Sequence, residues 1–321
     1  MTPTDSLPLL AVLATGGTIA SKKDSAGAAS PALSGEDLLA TLPPVPVQLR
    51  VRELLATDSS RLTLSDMQAI SDAVAAELDD PAIAGVVVLH GTDAMEETAL
   101  LLELQRQPGK PVVLTGAQFA ADHPHSDGPG NLADAVALAA QGQPGVMLAF
   151  GGRVFPSWGL YKFASDSADA FRRAADEAPA PNGALNTPLP APVSGLRIDI
   201  VAVHPGGDAL HLDASLAAGA RGIVIAALGS GNATPELVAG IARAQAAGVA
   251  VVVTSRVPEG VLAPAYGGGG GGHDMRRAGA VHARLLRPGQ ARILLAVLLA
   301  NGCDPAAIRA AFEDAPTPPG A

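Results

Sequence analysis

The chain has 321 residues, of which 48% are apolar, and its 31 acidic against 21 basic residues give a formal charge of −10. The longest apolar runs, such as Ile293–Ala300, fall far short of the roughly 20 residues that span a bilayer, so we expect no membrane segment. The negative charge repels a phosphate backbone and only 3% of the residues are aromatic, which makes nucleic acid an unfavourable partner.

Two features of the sequence favour the cytoplasm. The run Leu7–Ala14 resembles the apolar core of a secretory signal, but Asp5 precedes it and no Lys or Arg charges the amino end, so we predict a first strand there. A single cysteine, Cys303, cannot form an intramolecular disulfide, which is compatible with a reducing compartment.

Short runs of Val, Ile and Leu recur along the chain without polar alternation, which is typical of strands covered on both faces in a parallel sheet. These predicted strands are Leu9–Leu13, Val86–Leu89, Val112–Leu114, Val146–Ala149, Ile223–Ala226 and Val249–Val253. We expect one more strand around Val51–Leu55.

Helix start signals lie between the predicted strands. Thr63 stands three residues before Asp66, which is the spacing of a capping box, and Thr234 precedes a proline at the first helical position. Ser34 and Asp304 indicate further N-caps. Strands alternating with helices predict an α/β protein with a doubly wound, mostly parallel sheet.

A proline-rich segment, residues 178–195, is incompatible with a regular helix or a central strand, and we interpret it as a linker. It predicts a larger catalytic α/β domain over residues 1–186 and a smaller α/β domain over 187–321. We expect a frayed tail at Pro316–Ala321. Six consecutive glycines, Gly267–Gly272, favour a flexible surface loop over a close backbone approach to a ligand or a neighbouring subunit.

Two polar motifs follow predicted strands directly, and the carboxyl ends of parallel strands are where such sheets bind ligands. Thr15-Gly16-Gly17-Thr18 follows the first strand, and His90-Gly91-Thr92-Asp93 follows Val86–Leu89. The first motif alone is compatible with a tight turn, and Asp93 alone with a helix cap. A third polar group, Asp58-Ser59-Ser60, follows the strand expected around Val51–Leu55.

At these residues the sequence resembles the bacterial asparaginase and glutaminase family. The resemblance runs nearly from end to end, through five motifs in the family's order: Leu13–Ala20, Leu89–Thr98, Lys110–Gln118, Ser126–Leu132 and Ser255–Pro258.

The resemblance implies a role for each matching residue. Thr18 matches the nucleophile, and Thr92, Asp93 and a downstream lysine, for which Lys162 is the candidate, match a second catalytic group. The remaining matches concern the substrate. Asp58 and Ser59 match the residues that bind its α-carboxylate and α-amino groups. Ala117 matches a position whose backbone contacts its side-chain amide. Asn232 matches a residue that reaches into a neighbouring subunit's site.

The implied chemistry is release of ammonia from L-asparagine through a threonine acyl-enzyme, without metal or organic cofactor. A threonine hydroxyl becomes a good nucleophile only when a base takes its proton, and a lysine beside an oriented hydroxyl can serve as that base or as a proton relay. A solvated surface lysine is the alternative for Lys162. The seven histidines include no pair at metal-ligand spacing beside an acid, since Pro124 separates His123 and His125 in a loop, and we interpret His90 as structural. The resemblance also implies a homotetramer built from dimers.

The sequence departs from the family pattern at two places. Many members carry a tyrosine in the loop after the nucleophile, whereas Ser21–Pro31 contains none, although we expect this loop to close over substrate. Ala94 replaces a usual threonine, which bears on the choice between asparagine and glutamine. These substrates differ by one methylene, worth only about 1–3 kcal/mol, so the sequence leaves L-glutamine open as a second substrate.

Two other functions stay open at this point. The missing tyrosine and Ala94 are compatible with an amino-acid-binding sensor that has lost turnover. A subunit of a glutamyl-tRNA amidotransferase resembles the family as well, but it carries an extra amino-terminal domain, for which we expect no room before Thr15. The acidic charge also disfavours tRNA.

Overall fold

The computed structural model describes residues 7–23, 29–174 and 183–313. These residues form two compact units. The first runs up to Ser157 and also takes in Lys162–Arg172, while the second takes in Trp158–Tyr161 and the chain from Arg173 onward. The domain boundary predicted at residues 186 and 187 stays a prediction.

The first unit is built around one sheet. Its elements in chain order are β1 (Leu9–Ala14), β2 (Ser21–Lys23), β3 (Ala29–Pro31), α1 (Gly35–Leu39), β4 (Gln48–Glu53), α2 (Leu64–Asp79), β5 (Ile83–Leu89), α3 (Met95–Arg106), β6 (Pro111–Thr115), α4 (Gly128–Ala140), β7 (Gly145–Phe150) and β8 (Arg153–Pro156). After this unit's sheet the chain continues with a hairpin of β9 (Leu160–Lys162) and β10 (Phe171–Arg173), whose residues are divided between the two units.

The order of strands in this sheet is β4-β1-β5-β6-β7-β8, and every neighbouring pair is parallel except β7 with β8. Counted by appearance in the chain, the five parallel strands lie in the order 2-1-3-4-5, which is a doubly wound arrangement. The chain reverses its winding direction between β1 and β5. Loops leaving the carboxyl ends of these two strands therefore flank the crevice where such sheets bind ligands.

The predicted capping box at Thr63 is present at the start of α2. The Thr63 hydroxyl accepts the Asp66 N–H at 3.2 Å, and the Asp66 carboxylate accepts the Thr63 N–H at 2.8 Å. Both bonds satisfy backbone donors that the first turn of a helix leaves unpaired. Met67, Ile70 and Val74 then face the core and are at most 2% exposed.

The second unit has its own parallel sheet, ordered β11-β12-β13-β14. Its elements are β11 (Ile198–Ala202), α5 (Leu210–Ala217), β12 (Gly222–Ala227), α6 (Pro235–Ala246), β13 (Ala250–Ser255), α7 (Gly272–Arg277), β14 (Val281–His282), α8 (Pro288–Ala300) and α9 (Pro305–Glu313). As predicted, Thr234 caps α6 by accepting the Leu237 N–H at 3.3 Å. The predicted fold class is confirmed: a larger, mostly parallel sheet unit precedes a smaller α/β unit.

The proline-rich segment is described only from residue 183. It contains a short 3-10 turn, Gly183–Asn186, and then neither helix nor strand before Ile198. Residues 178–182 of the predicted linker and the predicted tail Pro316–Ala321 lie outside the described residues. Within the described chain, no helix is both long enough and apolar enough to cross a membrane.

The prediction of a flexible loop at the glycine run is wrong for its second half. The Gly270 carbonyl accepts the Ala233 N–H at 2.8 Å, and a Cβ on Gly270 would come within 2.5 Å of the Ala233 oxygen. A Cβ on Gly271 would overlap the carbonyl of Tyr266. Glycine is needed here because main chain packs directly on main chain within the second unit.

Candidate functional site

The site begins where β1 and β5 end. Thr15 continues the ladder by donating its N–H and its hydroxyl to the Leu89 carbonyl, at 3.0 and 2.8 Å. His90 likewise donates its N–H to the Thr115 carbonyl at 2.8 Å. The two polar motifs therefore start side by side at the same edge of the sheet.

Two glycines bring three loops into contact. A Cβ on Gly17 would lie 2.5 Å from the Gly91 Cα, and a Cβ on Gly91 would lie 2.5 Å from the Ser59 hydroxyl. No side chain fits in either gap, so the loops carrying Thr18, Asp93 and Ser59 pack closely at these two glycines. Thr18 itself opens a short 3-10 turn and is half-buried.

Lys162, on the last position of β9, points its ammonium group at the second motif. Its Nζ donates to the Thr92 hydroxyl and to the Asp93 carboxylate, both at 2.8 Å. The Thr92 residue is 5% exposed, and the Lys162 side chain is 20% exposed. The alternative of a solvated surface lysine does not fit this position.

Asp93 does not cap the helix that follows it. The N-cap of α3 is Ala94, which has no side-chain capping bond. Instead the Asp93 N–H donates to the Ser59 hydroxyl at 3.1 Å, and the Asp93 side chain is 58% exposed. Ser59 is buried, whereas Asp58 beside it is exposed. Asp93 thus joins the Ser59 loop to the lysine while leaving carboxylate surface open to a ligand.

Ala117 is 1% exposed and lies in the loop that follows β6. That loop is fixed by Asp127, whose carboxylate accepts the Gln118 and Phe119 N–H groups at 3.0–3.1 Å. Asn131 ties the same loop down by donating to the Gly116 carbonyl and to Asp127, each at 3.0 Å.

Asn232 belongs to the second unit. It closes a tight turn in which Leu228 and Asn232 exchange main-chain hydrogen bonds at 2.8 and 2.9 Å. Its side-chain Oδ1 is buried and has no hydrogen-bond partner in the described part of the chain. The structure thus brings together Thr18, Ser59, Thr92, Asp93 and Lys162 in the first unit, and leaves Asn232 in the second.

Comparison with known proteins identifies the family. A model of the amino-terminal asparaginase domain matches residues 9–182, and one of the glutaminase/asparaginase C-terminal domain matches residues 197–312. The chain belongs to the asparaginase and glutaminase family. A probable L-asparaginase of Deinococcus radiodurans is 35% identical, over 96% of this chain and 98% of its own length.

Two further relatives bear on the function. The crystal structure of a probable cytoplasmic L-asparaginase from Campylobacter jejuni superposes with a TM-score of 0.85 at 29% identity, covering 95% of this chain and 99% of that one. A glutamyl-tRNA(Gln) amidotransferase subunit from Methanopyrus kandleri is 31% identical, over 78% of this chain and 62% of its own length.

His90, in the second family motif, has the structural position that the sequence predicts. Its Nδ1 lies 2.7 Å from the Gly91 carbonyl, which can only accept, so Nδ1 carries the proton and Nε2 accepts from the Thr98 hydroxyl at 2.9 Å. Burial lowers the pKa of His90 to about 4. The neutral ring therefore braces the turn that presents Thr92 and Asp93.

Sequence reasoning missed Glu96 in the same motif. The Glu96 carboxylate oxygen accepts the main-chain N–H of Lys162. Although the residue as a whole is only half-buried, its carboxyl group is enclosed enough that desolvation raises its pKa to about 8, against a lowering effect of the Lys162 N–H. A glutamate in the first turn of a helix normally suits the helix dipole in solvent, so no sequence signal singled it out.

The loop after Thr18 is described only at its stems. Ser21–Lys23 pairs antiparallel with Ala29–Pro31, and residues 24–28 of the predicted lid lie outside the described residues. Among the residues that the structure describes, no group of three or more His, Cys, Asp or Glu side chains could hold a metal ion. Cys303 is a partly exposed free thiol, and Tyr266 is 60% exposed.

Proposed function

We propose that the protein is an L-asparaginase that hydrolyses L-asparagine to aspartate and ammonia through an acyl-enzyme on Thr18. The observation that carries this proposal is the position of the Lys162 Nζ, 2.8 Å from both the Thr92 hydroxyl and the Asp93 carboxylate. The loop that carries Thr92 and Asp93 packs against the loop that carries Thr18, where the main chain of Gly17 meets that of Gly91. Hydroxyl, amine and carboxylate thus meet at the crevice of the sheet.

In the first step the Thr18 oxygen attacks the side-chain amide carbon of asparagine. The Lys162 ammonium gives a proton to the amide nitrogen, which leaves as ammonia, and Thr92 passes the Thr18 proton to Lys162 in its place, so that an ester links the aspartyl group to Thr18. Water then attacks the ester carbon, and the same group returns a proton to the Thr18 oxygen as aspartate leaves. Neither step requires a metal or an organic cofactor.

Contacts with the α-carboxylate and α-ammonium groups of the substrate determine where its side chain lies. The Ser59 hydroxyl suits an α-carboxylate, and the exposed carboxylates of Asp58 and Asp93 suit an α-ammonium group. The main chain at Ala117 would contact the side-chain amide, held in place by Asp127. We infer L-glutamine as a slower second substrate, because one extra methylene changes transition-state binding by only about 1–3 kcal/mol.

We further propose a homotetramer built from dimers, with Asn232 reaching a neighbouring subunit's site. The buried Oδ1 of Asn232, unpartnered in the described part of the chain, supports this because such an atom normally finds a hydrogen bond. The Campylobacter jejuni relative, whose name includes "cytoplasmic", supports a cytoplasmic location, although a Haemophilus influenzae relative 31% identical to this chain is named a probable periplasmic L-asparaginase.

The relatives favour an asparaginase over an amidotransferase subunit. The Deinococcus radiodurans L-asparaginase matches over 98% of its length, whereas the Methanopyrus kandleri protein matches over 62% of its length. An amino-acid sensor would use the same Ser59 and Asp93 contacts, so ammonia release is the property that distinguishes it from an asparaginase.

The deciding experiment measures ammonia release from L-asparagine and from L-glutamine by the purified protein and by Thr18→Val. We expect turnover with asparagine, slower turnover with glutamine and none with Thr18→Val, which should still bind aspartate through Ser59 and Asp93. Aspartate binding without ammonia release by the unaltered protein would identify a sensor instead.

A further inference from the structure

Glu96 contacts Lys162, yet the proposed mechanism gives this carboxyl group no part. It is the second residue of α3, and its carboxylate accepts the main-chain N–H of Lys162. Lys162 is therefore bound at two places. Its side chain is held by Thr92 and Asp93, and its main chain is held by Glu96.

The helix that carries Glu96 is firmly seated. Met95 and Thr98, on either side of it, are 0% exposed, and Thr98 donates to His90. The motif Thr92-Asp93 leads directly into this helix. The start of α3 and the turn before it thus carry the two side chains that bind the Lys162 ammonium and the carboxyl that binds the Lys162 main chain. Their separation is therefore fixed.

We propose that Glu96 is a positioning residue, which holds the main chain of Lys162 so that its Nζ rests between the Thr92 hydroxyl and the Asp93 carboxylate. This inference rests on the proposed function only for its effect on turnover. The contact itself predicts the position of the lysine whatever the substrate is.

The raised pKa of Glu96 fits this role. With a pKa of about 8, the carboxyl is mostly protonated at neutral pH and still offers one oxygen to the Lys162 N–H. Glu97 raises its pKa and Lys162 lowers it electrostatically. A neutral acceptor fixes the lysine without adding a second full negative charge to that of Asp93.

The chain offers a matched control on the same helix. Glu103 is also a half-buried glutamate of α3 whose pKa is raised by desolvation, and it also accepts a main-chain N–H, that of Val146 at 3.2 Å. Val146 lies at the start of β7, away from Lys162. Glu103→Met therefore removes the same kind of hydrogen bond without touching the lysine.

The first measurement is steady-state kinetics with L-asparagine. We expect Glu96→Met to lower kcat by about 10 to 10²-fold with KM changed less than about threefold, because misplacing a catalytic group by an ångström is that costly. Glu96→Gln, which keeps an acceptor oxygen, should recover most of the loss, and Glu103→Met should not lower kcat. In a Lys162→Met background, Glu96→Met should cost nothing more. If the two kcat losses multiplied in that double variant, Glu96 would have a structural role independent of Lys162, and the proposal would be overturned.

The second measurement separates this proposal from the proposed function. Brief treatment with acetic anhydride, followed by peptide mass spectrometry, reports how freely the Lys162 amine reacts, with Lys110 as an internal reference in the same sample. We expect faster acetylation of Lys162 in Glu96→Met than in the unaltered protein or Glu103→Met. Equal rates would overturn the positioning role. A rate change in a protein that releases no ammonia would uphold it and refute the asparaginase proposal alone.

Discussion

Replacing Gly17 by alanine tests whether the close approach of two loops assembles the site. Gly17 has a φ of 85°, and a Cβ there would lie 2.5 Å from the Gly91 Cα and 2.6 Å from the Gly91 nitrogen. Both obstacles are main-chain atoms, which cannot rotate away. The loop of Thr18 must therefore move off the loop of Thr92 and Asp93.

The size of the effect has two parts. With a ψ of −176°, Gly17 has a backbone conformation that is almost confined to glycine and costs an alanine about 1–3 kcal/mol, and overpacking adds typically 1–3 kcal/mol, so we expect Gly17→Ala to lower the free energy of unfolding by about 2–6 kcal/mol. Gly142 provides the control. Its φ is 74° but nothing lies within 4 Å of a Cβ there, so Gly142→Ala should cost only the first part.

The assay combines denaturant unfolding with ammonia release. At a temperature where all three proteins are folded, we expect Gly17→Ala to lose about 10²-fold in kcat, because its nucleophile is displaced from the lysine, and Gly142→Ala to keep its turnover. If both variants lost the same stability and kept the same kcat, the contact between Gly17 and Gly91 would not be what assembles the site.

The hydrogen bonds and pKa values of the site lead to three further expectations. Lys162→Met should lower kcat by about 10² to 10⁴-fold with aspartate affinity little changed, measured by steady-state kinetics and calorimetry; near-normal turnover would refute the relay. The pKa of His90 falls from 6.5 in the unfolded chain to about 4, so stability is lost as pH falls through that range. Between pH 7 and 4 the unaltered protein should lose about 3 kcal/mol more than His90→Gln in denaturant unfolding, and parallel losses would contradict the assignment. The pKa of Glu96 rises from 4.5 to about 8, so stability present below pH 4.5 is lost as pH rises towards 8. Allowing for partial exposure, Glu96→Gln should be about 2 kcal/mol more stable than the unaltered protein at pH 8.5 and equal to it at pH 4, and a constant difference would contradict the shift.

The strands that could be predicted are those covered on both faces. β5, β6 and β7 are buried along nearly their whole length, so each one is a continuous apolar run in the sequence. β4 lies at the edge of the sheet with an exposed or half-exposed position at every residue, and the prediction placed it about two residues too late. The edge strands β8 and β11 were missed for the same reason, since their polar residues break the pattern.

The site was predictable as far as the family motifs reach. Thr18, Thr92 and Asp93 lie within motifs at strand ends, and parallel strands bring such ends together. Lys162 meets Thr92 across 70 residues, and the sequence indicated it only through resemblance. Glu96 lay inside a recognised motif but its contact is with a main-chain N–H 66 residues away. A main-chain donor has no signature in a sequence, so only the fold reveals that partner.

Thr18 is the residue that we propose to carry the acyl group during turnover. Quenching the enzyme with acid during hydrolysis of L-asparagine, followed by peptide mass spectrometry, locates that group directly. We predict an aspartyl ester on the peptide containing Thr18, absent from Thr18→Val and absent from the unaltered enzyme once asparagine is exhausted. An aspartyl group on Thr92, with Thr18 unmodified, would show that Thr92 is the nucleophile and that Thr18 is not.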